Sequence, residues 1–205
     1  MSQPPHATNT RERFIAAATT LFAEKGFYGA SMDHIAREVG LTKQALIHHF
    51  GSKEKLYGAV LEDISDRLLA DLASVEIPAA QDRTEAFLQA LDKIYRRTVQ
   101  RHADTQLLMR ELLDNRRRAA RAASWYLKPF LDRLEQLLSE DPRWDQAGRL
   151  PRQTHIYQLL GAINYFAVST ETLKAMYSTR HVNAMAKAFP AQLRRLADAS
   201  PQSVD

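Results

Sequence analysis

The sequence predicts an all-α protein, with three short helices at the front and a body of longer helices behind them. Two observations predict it. Apolar residues recur at helical spacing from Phe14 to Leu196. Helix breakers are unevenly spread: Gly26, Gly29, Gly40, Gly51 and Gly58 crowd the front, whereas only Gly148 and Gly161 lie beyond, with Pro78, Pro142, Pro151 and Pro190 as punctuation. Short helices with tight turns therefore precede long helices with few turns.

Composition agrees with a folded globule. The chain has 205 residues, enough for one or two domains. A chain of this size buries roughly 70% of its unfolded surface, so it needs neither metal nor disulfide to hold a core. It contains no cysteine, which excludes disulfides, thiolate zinc sites, iron–sulfur clusters and a cysteine nucleophile. Hydrophobic residues make up 45% and charged residues 25%, so extensive disorder is not expected. No apolar run approaches the ~18 residues of a membrane span, and Met1–Pro5 does not resemble a secretory signal. A cytoplasmic location is the expectation. A net charge of +4 tilts mildly toward an anionic partner.

Asn9-Thr10-Arg11-Glu12 carries the capping-box pattern and opens the first helix. Phe14, Ala18, Leu21 and Phe22 form its apolar face, and Gly26 is its expected stop, after Lys25. Ser31 caps a second helix over 32–38, with Ile35, Ala36 and Val39 turned inward. Gly40-Leu41-Thr42 is a stop, an apolar plug and a new cap. A third helix follows over 43–49, with Leu46 and Phe50 facing the core. Gly51 ends it and Ser52 caps the next.

Two short helices joined by a glycine-containing turn, with a supporting helix before them, predict a helix-turn-helix. Such a pair places the first turn of its second helix against base edges in the major groove. Thr42, Lys43 and Gln44 open that helix here. Lysine donates to guanine, and glutamine pairs with adenine. His48 and His49 come a turn later, near the backbone of the opposite strand. Ser31 and Lys53 each open a flanking helix within reach of phosphate. The candidate DNA contacts are therefore Ser31, Thr42, Lys43, Gln44, His48, His49 and Lys53. Taken singly, Lys43, Lys53 and the His48-His49 pair also fit a solvated surface.

The stretch from Thr10 to Tyr57 resembles the N-terminal domain of the tetracycline-repressor-like (TetR) family. The resemblance rests on Ile15-Ala16-Ala17-Ala18, Leu21-Phe22-Ala23-Glu24-Lys25-Gly26-Phe27, Ser31-Met32, Ile35-Ala36, Val39-Gly40-Leu41-Thr42-Lys43 and His49-Phe50-Gly51-Ser52-Lys53-Glu54-Lys55-Leu56. It covers about a quarter of the chain and implies sequence-specific DNA binding. Ile47 stands where the family usually has an aromatic that touches phosphate. The resemblance thus implies that this contact is missing or passes to His48. Behind the head, over about 76–198, only the helical layout is similar, which implies a divergent effector-binding and dimerisation domain. The expected division is 1–52 for the helix-turn-helix domain and 53–205 for the ligand-binding and dimerisation domain, with 53–74 as a linking helix.

Leu56, Val60, Leu61, Ile64, Leu68 and Leu72 form one stripe of that linking helix. Further helices are expected near 84–101, 104–115 and 121–139. Phe87, Leu91, Ile94 and Tyr95 mark the first face, and Leu107, Leu108, Glu111 and Leu112 the second. Arg116-Arg117-Arg118 reads as a solvated connection. Pro129 either kinks the third helix or starts a new one. A kink there would open a pocket between helices, where small apolar or amphipathic ligands bind. Met109, Leu112, Trp125, Phe130 and Phe166 are its candidate lining, with plain core packing as the alternative. The last helices, near 152–168 and 182–197, present Leu159, Ile163, Met185, Phe189 and Leu193. The resemblance implies that these helices pair with their copies in a two-fold dimer, with packing inside one chain as the alternative.

Nothing in the sequence asks for catalysis, a cofactor or a metal. It has no Glu-x-x-His pair, His-Glu-x-x-His motif, Gly-x-Ser-x-Gly elbow, Walker loop or Gly-x-Gly-x-x-Gly. The expectation is a homodimeric, ligand-responsive transcriptional regulator, most simply a repressor, acting on an inverted-repeat operator in double-stranded DNA. A helical small-molecule-binding protein and a nonspecific architectural DNA-binding protein are the alternatives.

Overall fold

The computed structural model describes residues 6–75, 83–114 and 126–198. They form α1 (His6–Gly29), α2 (Met32–Glu38), α3 (Lys43–Phe50), α4 (Lys53–Ala73), α5 (Arg83–Gln100), α6 (His102–Asp114), α7 (Lys128–Ser139), α8 (Arg149–Met176) and α9 (Thr179–Ala197), with no strand among the described residues. The all-α expectation holds. The chain divides into two compact units: Met1–Asp66 with Ala103–Tyr126, and Arg67–His102 with Leu127–Asp205.

In the first unit, α1 starts ahead of the expected capping box. Gly26 interrupts it at φ 69 and ψ 175, and Phe27–Gly29 add one further turn. That backbone region is essentially restricted to glycine, so the stop read from the sequence is a sharp bend. Each later cap forms as expected. Ser31 Oγ accepts from the His34 N–H at 3.1 Å, Thr42 Oγ1 from the Ala45 N–H at 3.2 Å, and Ser52 Oγ from the Lys55 N–H at 3.3 Å. Such caps are each worth about 1 kcal/mol. Phe14, Phe22, Ile35, Leu46 and Leu56 are fully buried. Phe14 meets Phe50 edge-on at 6.2 Å, and Tyr57 meets Phe22 edge-on at 4.9 Å. These rings pin α1 to α3 and to the start of α4.

Helix α6 joins this unit as well. Glu111 is 4% exposed and accepts from the Tyr57 hydroxyl at 2.7 Å. Arg110 Nη2 donates to the Glu24 carbonyl at 3.1 Å, near the end of the first segment of α1. A charged residue on the apolar face of α6 is thus explained by a buried hydrogen bond. Leu112 was expected on that face but is 55% exposed, because the buried stripe runs through Asp104, Leu107 and Glu111 instead.

In the second unit, α5 packs on α7, α8 and α9, and α8 packs on both α7 and α9. Phe87, Leu91, Ile94 and Tyr95 are buried as the α5 spacing predicts. Arg194 of α9 pairs with Glu85 at 3.0 Å and Asp92 at 2.6 Å, and these carboxylates hold its guanidinium above its ordinary pKa. Asp141 is fully buried, accepts from Thr84 at 3.0 Å and pairs with Arg143, which also reaches Asp198. Pro129 lies in the first turn of α7, where its missing N–H costs nothing. It starts the helix rather than kinking one. Residues 115–125, with the Arg116–Arg118 run, lie outside the described residues.

Candidate nucleic-acid interface

The N-terminal turn of α3 is shaped by its neighbours. Gly40 takes a positive φ of 70, with its N–H bonded to the Arg37 carbonyl at 3.0 Å. This turns the chain sharply, and Thr42 then caps α3 in extended conformation. With Leu46 and Phe50 buried beneath, helical geometry turns Lys43, Gln44, Ile47 and His48 outward, and all four are exposed.

Of the sequence-predicted DNA contacts, Thr42, Lys43, Gln44, His48 and His49 lie together on α3 and its cap, and all are exposed. The His49 ring rests edge-on against Phe14 at 5.6 Å. Ser31 is exposed at the start of α2. Lys53 is half-buried at the start of α4, its ammonium 4.7 Å from the centre of the Phe27 ring. Ile47 is 42% exposed and leaves an apolar patch between the polar groups of α3.

Sequence reasoning missed Asp33. Its carboxylate lies 3.2 Å from the Lys43 ammonium, joining the first turn of α2 to the first residue of α3. Asp33 falls outside the inward-facing set of α2, so helical spacing marks it only as surface. The pairing follows from the angle between two helices. A second chain of polar contacts links α1 to α2: Lys25 Nζ lies 3.1 Å from His34 Nδ1, and His34 Nε2 lies 3.1 Å from Glu38 Oε1. Beside it, Arg13 donates to the Val39 carbonyl at 2.6 Å and helps hold the turn before α3.

The residues proposed for a ligand pocket are spread over both units. Met109 is half-buried and Leu112 exposed on α6 of the first unit. Phe130 and Phe166 are buried on α7 and α8 of the second. Trp125 lies outside the described residues. Phe166 stacks on Phe189 at 4.7 Å, and Phe189 stacks on Tyr95 at 4.9 Å. The stack thus joins one residue considered for the pocket to one considered for the dimer interface. Leu159, Ile163 and Leu193 are buried within their own chain, and Met185 and Phe189 are half-buried. The outward side of α8 carries Tyr157, Gly161 and Tyr165 instead, all exposed.

Among the described residues no group of acidic or histidine side chains is placed to hold a metal, and no helix is long and apolar enough to cross a membrane. Residues 14–60 match the family of bacterial regulatory proteins of the tetR family. Over 60 residues the chain is 40% identical to the transcriptional activator FasR of Mycolicibacterium smegmatis, covering 29% of this chain and 27% of that protein. Over 64 residues it is 41% identical to the transcriptional regulator UidR of Escherichia coli K12, covering 31% of this chain and 33% of that protein. The match thus spans a third or less of these relatives. Similar solved structures extend over the whole fold. A TetR-like transcriptional regulator from Rhodococcus sp. RHA1 covers 95% of this chain and 96% of its own, at a TM-score of 0.68 and 21% identity. The fatty acid degradation regulator FadR of Bacillus halodurans covers 96% of each chain, at a TM-score of 0.71 and 18% identity. FadR of Bacillus subtilis, in complex with stearoyl-CoA, covers 93% of this chain and 99% of its own, at 0.67 and 16%. Residues 14–60 are thus similar to the helix-turn-helix segment of the tetR family of bacterial regulatory proteins, and the fold as a whole is that of TetR-like regulators.

Proposed function

We propose that this protein is a ligand-responsive transcriptional repressor that binds an inverted-repeat operator as a homodimer. The observation that carries the reading is the exposed N-terminal turn of α3, with Thr42, Lys43 and Gln44 presented together on a capped helix over a buried Leu46 and Phe50. Each protomer sets this helix into the major groove of one half-site. The two helices of a dimer then lie about 34–36 Å apart, or a multiple of that spacing. Ser31, His48, His49 and Lys53 serve as backbone contacts around the reading turn. The domain division expected from the sequence, 1–52 and 53–205, is part of the same proposal.

Dimerisation is assigned to α8 and α9. Tyr157, Gly161 and Tyr165 give α8 an exposed face with a small residue at its centre, where a Cβ would meet nothing within 4 Å. Such a face admits a second helix closely and is buried by a two-fold copy of itself. Leu159, Ile163, Met185, Phe189 and Leu193 support it from beneath. The effector is a small apolar or amphipathic molecule. It acts by binding one state of the dimer more tightly than the other. A structurally similar regulator bound to stearoyl-CoA supports the amphipathic class.

Sequencing of genomic fragments selected by the purified protein at near-physiological salt tests the reading. One recovered inverted repeat is the expected result. Weak, salt-labile binding without a motif would leave an architectural or ligand-binding protein instead. Lys43→Ala weakens or respecifies operator binding by about ten-fold or more while the dimer persists in sedimentation. Loss of the dimer would remove Lys43 from the interface. The relative named as an activator favours a second reading, activation from an upstream operator. Run-off transcription on the recovered promoter separates the two.

A further inference from the structure

The ion pair between α2 and α3 carries a consequence for selectivity. A lysine at the tip of a reading helix attracts every phosphate, and that attraction is independent of sequence. Here the Lys43 ammonium is 3.2 Å from Asp33 Oδ2, with the two side chains 45% and 61% exposed. The nearby carboxylate of Glu38 faces His34 on the other side of α2. Asp33 is therefore the acid held against the reading turn.

We propose that Asp33 is a specificity-determining residue of the DNA interface, which holds Lys43 in register for base readout and penalises phosphate contact. This rests on the operator-binding reading above. Three physical effects combine. The pair fixes the direction of a flexible four-carbon side chain before DNA arrives. The carboxylate repels phosphate oxygens that approach Lys43 from the backbone side. A carboxylate accepts hydrogen bonds and cannot donate them, so it meets a base edge favourably only at cytosine N4 or adenine N6. A correct sequence satisfies both members of the pair, whereas a wrong one leaves an acid facing acceptors. An exposed pair of this kind is weak, so sharing it with DNA costs little.

The full-length dimer is titrated with the selected operator and with a scrambled duplex of the same length, across 50–200 mM salt. The variants are Asp33→Asn, Asp33→Ser, Lys43→Gln and Asp33→Asn with Lys43→Gln. Asp33→Ser keeps a good first-turn residue should the amide perturb α2. The expected result for both Asp33 variants is binding to scrambled DNA tightened by about three- to five-fold. The salt slope on that DNA steepens by about one, as one more cation engages phosphate. The ratio of operator to scrambled affinity falls accordingly. In the double variant this gain disappears, because no lysine is released. Unchanged ratio and slope in both Asp33 variants, or an equal gain in the double variant, would overturn the role of Asp33 while leaving operator binding intact. A wild-type protein that binds both duplexes alike would overturn the operator reading itself.

Discussion

Gly26 shows how a single residue sets the head. Its φ of 69 with ψ of 175 lies where side chains are not accommodated. The bend it makes brings Phe27 onto Phe22 and Tyr57, at 6.1 and 5.2 Å. Gly26→Ala is expected to destabilise the protein by about 1–3 kcal/mol, measured by urea denaturation, although an added Cβ would find ordinary room at 3.7 Å from Arg110. A loss near zero would mean that the bend relaxes into continuous helix. The stop at Gly26 was legible in the sequence because a left-handed helix end is a local matter. Glu111 was legible only as an anomaly, a charge on an apolar face. Its partner Tyr57 is 54 residues away, and no spacing rule reaches that far.

At the scale of the element, α9 contains a proline that its neighbour compensates. Pro190 lies inside the helix and has no N–H to return to the Ala186 carbonyl. The Tyr95 hydroxyl of α5 donates to that carbonyl at 2.9 Å, and burial pushes the phenol up from its ordinary pKa. Tyr95→Phe is therefore expected to cost about 1 kcal/mol in chemical denaturation, the loss of a hydrogen bond to a part-buried carbonyl. In a Pro190→Ala background the helix supplies its own donor, so the same substitution costs less. Equal costs in both backgrounds would show that Tyr95 acts through ring packing alone. The sequence marked both residues, Tyr95 as core and Pro190 as punctuation. It could not join them, because the link depends on which turn of α9 lies against α5.

At the scale of the whole molecule, two buried groups contribute to how stability depends on pH. His155 is 8% exposed and stacks on Trp144 at 4.6 Å. Burial lowers its pKa below the usual 6.5, opposed by a hydrogen bond to the Ala197 backbone and helped by the charge of Arg143. The folded state thus binds this proton less readily than the unfolded chain. The stability present above pH 6.5 is lost as pH falls through the folded pKa. For Asp141, burial raises the pKa, but hydrogen bonds from Arg143 and Thr84 and the Arg143 charge outweigh it, and the net shift is downward from 3.8. Its contribution is present above the unfolded value and is lost as pH falls through the lower folded value. Thermal unfolding from pH 8 to pH 3 is expected to show a falling midpoint below pH 6.5 that His155→Gln flattens, and a further fall below pH 4 that Asp141→Asn removes at the expense of stability at pH 7. A midpoint indifferent to both substitutions would remove these groups from the balance. The all-α class, the caps at Ser31, Thr42 and Ser52, and the outward set of Lys43, Gln44 and His48 were all readable from the chain, because capping, turning and facing are decided within a few residues. Tertiary structure alone decided that Leu159, Ile163 and Leu193 are covered within one chain, that Phe166 stacks on Phe189, and that Asp33 closes on Lys43. An apolar stripe states that a face must be buried, and only the packing of one helix on another states against what.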